Sequence, residues 1–451
     1  MRLWRIGAFV AAVLAVTVQA PALAVQPPEV AVGTHPADDP PSPEFATKQD
    51  KGCLAVGVLP NSDLSQVPPP ERALDLRRAR ALSSGAGVTV AVIDTGVSPN
   101  PRLPNLSGGG DYVQAGGDGL ADCDAHGTLI AGIIGATADP GDGFSGVAPD
   151  ARILSIRYRS GAFSPQGMVN TDAAQQLAAS IRVLARAVTH AADAGAQVIT
   201  VGLPVCVPAA LAVDQSALSA AIGYAVREKG ALLVAGAGDA GGSGGCEQNP
   251  AIDPGRPGDP RNWDGVKTIS SPGWFATDVL TVGFTTSAGE LMPDSLSGPW
   301  VSVAAPGSGI ESLGPGGGGL INGVGEPDKL VAVGGASFAT GYVSGVAALL
   351  RSRFPNESPA AITARLQASA HAPARGVDNS VGAGLIDPLT ALSYRTAPQP
   401  PTGVYRGFPL AIPASPRGRD QRPGLTAAGV IGAALLLGAG VRTAHTVRRR
   451  R

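Results

Sequence analysis

Between Val88 and Ile93 the chain is apolar or β-branched at every position, the pattern of a strand buried on both faces. Ile153 to Tyr158 is a second strand candidate. From Asp172 to Ala194 the period changes. Leu177, Ile181, Leu184 and Val188 recur at spacings of four, three and four, which predicts a helix with one apolar stripe. The alternation continues, with strands predicted at 197–201, 231–235, 279–284 and 301–304 and helices at 215–229 and 337–353. Another helix is expected from Ser358-Pro359 to about residue 370, with Ser358 at the N-cap and Pro359 in the first turn. Strands and helices alternating at this length predict an α/β fold, a mainly parallel β-sheet flanked by helices on both faces. Two Gly/Pro-rich insertions, 241–264 and 313–329, interrupt the pattern and are expected as surface loops.

The two ends follow different rules. Arg2 and Arg5, the apolar stretch Ile6 to Val18 and the small-residue pattern Ala22-Leu23-Ala24 predict a cleaved export signal over 1–24. Residues 25–84 are Pro-rich and polar with little periodicity; they fit a disordered spacer, a pro-segment or an arm packed on the main domain. The main domain is expected over 85–395 and a semi-rigid Pro-rich linker over 396–423. Leu425 to Val441 carries no charge and predicts a transmembrane helix over 424–444. Arg442 and Arg448 to Arg451 follow it, so the tail, 445–451, is expected in the cytoplasm and the body outside the cell membrane.

Composition narrows the function. A net charge of -1 gives no reason to expect nucleic acid as a partner, and 44% hydrophobic residues suffice for a sizeable core. The Gly-rich stretch 314–319 lacks the Lys-Ser/Thr of a phosphate-binding loop, so no nucleotide cofactor is expected, and no residue cluster predicts a metal. Cys53, Cys123, Cys206 and Cys246 all lie in the exported body without C-x-x-C spacing. An even count in an oxidising compartment predicts two disulfides, with three pairings open.

Three residues stand where this alternation puts chemistry. Asp94 ends the first strand and precedes Thr95-Gly96; on its own it reads more often as a turn residue after a strand. His126, in Asp124-Ala125-His126-Gly127-Thr128, opens an apolar helical run. The other histidines are His35 in the polar arm, His190 and His371 late in surface helices, and His445 in the tail, so His126 alone has such surroundings. Ser337 lies in Gly334-Gly335-Ala336-Ser337-Phe338-Ala339-Thr340, where a loop becomes a helix. A serine there could be a plain N-cap, but a nucleophile gains from the helix dipole. Acyl transfer by serine needs a base, an acid to orient that base, and donors for the oxyanion.

Asp-Thr-Gly, His-Gly-Thr and Gly-Ala-Ser-Phe-Ala, in that order, resemble the three catalytic boxes of the subtilisin-like (subtilase) peptidases over about 85–393, and Gly382 to Asp387 resembles that family's closing segment. Signal, arm, four cysteines, Pro-rich linker, anchor and Arg tail together are similar to the mycosins, the membrane-anchored subtilases of mycobacterial type VII secretion. The resemblance implies a subtilisin-like fold and a serine endopeptidase acting on exported protein or peptide substrates, with Ser337 as nucleophile, His126 as general base and acid, and Asp94 orienting it. It also implies disulfides Cys53–Cys123 and Cys206–Cys246, an arm wrapped on the catalytic domain, and a type VII secretion membrane complex as partner.

The chain departs from the family at four places. Asp239 stands in Ala235-Gly236-Ala237-Gly238-Asp239 where subtilases place an oxyanion-donating Asn. An ionised Asp cannot donate, and loss of such a donor costs about 10²–10³ in rate. Ala336 replaces the usual Thr and Gly341 the usual Pro. The substrate-binding stretch reads Gly202-Leu203-Pro204, in which Pro204 offers no backbone N–H to a peptide. These departures motivate an alternative, a structural subunit that braces or caps a secretion complex with little proteolysis.

Overall fold

The computed structural model describes residues 25–31, 33–166, 172–241, 246–374, 376–399, 408–409, 431 and 433. The chain divides into Met1–Ala411 and Ile412–Arg451. Of the second unit only Ile431 and Ala433 are described, both helical. The predicted signal and, those two residues apart, the predicted membrane helix therefore lie outside the described residues. Among the described residues no helix is long and apolar enough to cross a membrane.

The first unit is a subtilisin-like α/β fold on a seven-stranded sheet. Its strands are β1 (Thr89–Asp94), β2 (Leu106–Asp111), β3 (Arg152–Arg157), β4 (Val198–Val201), β5 (Leu232–Gly236), β6 (Val279–Thr285) and β7 (Val301–Pro306). They lie in the order β7-β6-β5-β4-β1-β3-β2 and every pairing is parallel. The order reverses at β1, the switch point at which open parallel sheets form their sites.

Alternate residues of β1 serve two cores, as the period of two requires. Val90 and Val92 pack with α1 (His126–Gly135) and α4 (Ala336–Arg353) on one face. Ala91 and Ile93 pack with α2 (Ala173–Asp193) and α3 (Ser216–Gly223) on the other. The helix expected over 215–229 ends as a π-helical stretch, Tyr224–Glu228. Ser358 caps α5 (Pro359–Ser369) by accepting from the Ala361 N–H. β2 went unpredicted because its sequence, Leu-Ser-Gly-Gly-Gly-Asp, has almost no strand propensity; pairing with β3 forms it.

One expected surface loop is built otherwise. Within 313–329, Leu320–Ile321 pairs with Ser312–Leu313, and Gly323–Glu326 pairs with Lys329–Ala332 on one side and with Ala55–Gly57 of the arm on the other. Backbone pairing with a distant segment, Gly323–Gly325 against Ala55–Gly57, rather than local periodicity, makes these strands. The arm also pairs Thr47–Gln49 with Phe163–Pro165. Its Leu74, Leu76 and Ala79 are buried in the main core. Several segments of the arm therefore contact the rest of the chain.

Candidate active site

Asp94, His126 and Ser337 come from three elements whose ends converge. β1 delivers Asp94 at its carboxyl end, and α1 and α4 deliver His126 and Ser337 from their first turns. The glycines in both short motifs are set by close approach. A Cβ on Gly127 would lie 2.1 Å from the Gly96 carbonyl oxygen. Gly96, at φ +99°, would put its own Cβ 2.1 Å from the Ala121 oxygen. Only small backbone at both points lets α1 start against the end of β1. His126 Nδ1 then lies 2.6 Å from Asp94 Oδ1, and His126 Nε2 lies 2.8 Å from Ser337 Oγ. Asp94 is fully buried and Ser337 nearly so. The Phe338 ring packs on the imidazole at 5.1 Å.

Charge is concentrated around that imidazole. Burial pulls the His126 pKa down, but the charge and hydrogen bond of Asp94, then the charges of Asp122 and Asp239, outweigh it and leave it raised. Asp122 is pushed up to about 6, first by burial and last by the Asp94 charge, against the hydrogen bonds of Thr128 and Thr95. Asp239 is raised above the usual carboxylate range by burial, against the pull of the Ala336 N–H and of His126. Its Oδ1 accepts from the Ala336 N–H at 3.0 Å, so this carboxyl sits at the amino end of α4, one residue before Ser337.

A cleft of about 650 Å³ runs beside these groups. Leu203 and Pro204 line it with Thr95, His126, Asp239 and Phe338. Gly202 is set back from it: a Cβ there would lie 2.6 Å from Asp94 Oδ2 and 2.6 Å from Ile130 Cδ1. Tyr158 donates its hydroxyl proton to the Leu203 carbonyl. Leu54 of the arm forms part of the cleft wall, its N–H bonded to the Cys123 carbonyl at 2.9 Å. Cys53 is bonded to Cys123, and Cys206 to Cys246, both of which also line the cleft. Among the described residues no group of three or more metal-ligating side chains occurs.

Sequence reasoning missed Asp122. It accepts from Thr95 Oγ1 at 2.9 Å, the Asp124 N–H at 3.1 Å, the Thr128 N–H at 2.9 Å and Thr128 Oγ1 at 2.6 Å. Its only signal was an acidic residue four positions before His126, which any turn could supply.

The Subtilase family model matches residues 85–384. Mycosin-3 of Mycobacterium tuberculosis is 46% identical over 441 residues, covering 96% of this chain and 95% of that protein. The crystal structure of MycP1 from Mycobacterium smegmatis superposes with a TM-score of 0.80 at 44% identity, covering 87% of this chain and all of that one (100%). A chain of the intact ESX-5 inner membrane complex also reaches 0.80, at 43% identity, covering 94% of this chain and 100% of that one.

Proposed function

The chain belongs to the subtilase family of serine endopeptidases and, within it, to the mycosins, and we propose that Ser337 is its nucleophile, His126 its general base and acid, and Asp94 the residue that orients His126. The observation that carries this reading is the unbroken hydrogen-bonded series from Asp94 through His126 to Ser337, at 2.6 and 2.8 Å. Asp94 accepts from Nδ1 and so leaves Nε2 free to take the Ser337 proton. Ser337 Oγ attacks the scissile carbonyl, His126 returns the proton to the leaving amine, and water repeats the sequence on the acyl-enzyme.

The amino end of α4 supplies positive potential and the Ser337 N–H for the oxyanion. Asp239 is the second oxyanion group. A proton on its Oδ2 makes it a donor while Oδ1 keeps the Ala336 N–H. The Gly202-Leu203-Pro204 stretch forms the substrate-binding edge, with Leu203 and Pro204 facing the peptide and Gly202 behind them. The substrate is a protein or peptide exposed outside the cytoplasmic membrane.

The export signal over 1–24, the uncharged stretch 424–444 and the terminal arginines support a body tethered outside the membrane by one span, with the tail inside. Similarity to a chain of the ESX-5 inner membrane complex, over 94% of this chain, supports work within a type VII secretion assembly. A second reading, a bracing subunit with little turnover, is favoured by one observation: the carboxyl of Asp239, the proposed oxyanion group, accepts a hydrogen bond from the Ala336 N–H. Peptide hydrolysis by the chain and by Ser337→Ala separates the two. Turnover abolished in the variant supports the peptidase; equal rates refute it.

A further inference from the structure

Both carboxylate oxygens of Asp122 are used. Oδ1 accepts from Thr95 Oγ1 and the Asp124 N–H; Oδ2 accepts from the Thr128 N–H and Thr128 Oγ1. Each threonine carries the connection onward. The Thr95 N–H donates to Asp94 Oδ1 at 2.8 Å, and Thr95 Oγ1 accepts from the Gly127 N–H at 2.9 Å. Thr128 Oγ1 accepts from the Ser98 N–H at 3.0 Å. The bonds close a ring that joins the end of β1 to the first turn of α1 at Gly127 and Thr128, the two residues that follow His126. Behind the ring, the neighbouring Cys123 is fastened to Cys53 of the arm. Asp122 is not among the residues lining the cleft.

Resting on the roles proposed above for Asp94, His126 and Ser337, we infer that Asp122 is a positioning residue, which holds the end of β1 and the start of α1 together and so fixes the His126 imidazole between its two partners. The same carboxylate stabilises the fold, because a partly buried acceptor with four donors strands those donors when it is removed. Its effect on catalysis is separate. Thr95 is next in sequence to Asp94 and bonded to the N–H that follows His126, so slack in the ring changes both ends of the 2.6 Å contact. Displacement of about 1 Å in such a contact costs about 10²-fold in rate. The groups that set the charge around His126 are Asp94 on β1, Asp122 in the loop before α1, and Asp239 after β5.

The test uses the full chain in detergent with the variants Asp122→Asn, Thr95→Val and Thr95→Ser. Asp122→Asn and Thr95→Val should each lower kcat about 10²-fold with KM nearly unchanged, while Thr95→Ser, which keeps the hydroxyl, restores it. The His126 ring, titrated by NMR, should ionise at lower pH in Asp122→Asn, because a neighbouring negative charge is gone. A folded Asp122→Asn that keeps kcat within about twofold, its imidazole titrating as in the parent, would overturn the inference. So would a loss confined to thermal stability. If Asp122→Asn does not fold, Thr95→Val and Thr95→Ser decide the matter by the same kcat criterion. The NMR titration needs no turnover, so an inactive parent would refute the nucleophile assignment and leave this test standing.

Discussion

Gly202 offers a sharp perturbation because one methyl group added there meets the buried side of Asp94. Its backbone lies outside the left-handed region, so Gly202→Ala brings no φ penalty and acts through space alone. The new Cβ would sit 2.6 Å from Asp94 Oδ2 and 2.6 Å from Ile130 Cδ1, where ordinary contacts begin near 3.4 Å. Ile130 is fully buried and Asp94 is held by His126 and by the Thr95 N–H, so neither yields freely. Overpacking of this kind costs about 1–3 kcal/mol of stability. Asp94 Oδ2 has no hydrogen-bond partner among the described residues, so that oxygen moves first, and the carboxylate turns on its 2.6 Å bond to His126. The expected kinetic result is a fall in kcat of about 10²-fold, with KM little changed because Gly202 is set back from the cleft. Steady-state kinetics on a peptide ester, together with a thermal melt, measure both effects. A folded Gly202→Ala with parental kcat would refute the claim that Asp94 is wedged in place from behind.

Three further outcomes follow from the same geometry. Asp239→Asn replaces a carboxyl that donates only when protonated with an amide that always donates, so turnover should rise, by about 10-fold or more; an unchanged or lower rate would mean that other donors hold the oxyanion. The base must be neutral, and the neighbouring carboxylates favour its protonated form, so kcat/KM should fall with acid through a pKa above the ordinary 6.5 of imidazole; a limb below that value in a pH–rate profile contradicts the charge balance described here. Removing the Cys53–Cys123 bridge, 70 residues apart in sequence, with paired serine substitutions should lower stability by about 4 kcal/mol on the loop-entropy argument. An unchanged thermal midpoint would show that strand pairing and the buried Leu74 and Leu76 hold the arm unaided.

Much of the fold was legible because β1, β4 and β5 are apolar or β-branched at most positions and α2 carries a clean helical stripe. The three central residues were legible because each sits at an element boundary that periodicity marks. What stayed hidden depends on partners distant in sequence. The strands within 312–332 are two to four residues long, below the length at which alternation shows, and they exist through the arm and each other. Gly202 read as part of a substrate edge, and its second role, leaving room behind Asp94, depends on the packing of β1 against α1. Asp122 and its two threonines are common turn and cap residues in sequence; only the convergence of β1 and α1 turns them into a ring.

The central claim is that Ser337 Oγ is the activated nucleophile. Its most direct test is treatment of the folded chain with a fluorophosphonate, followed by peptide mass spectrometry. A single adduct on Ser337, lost in His126→Ala, is the predicted result; a folded, unlabelled Ser337, or labelling that persists without His126, would contradict it.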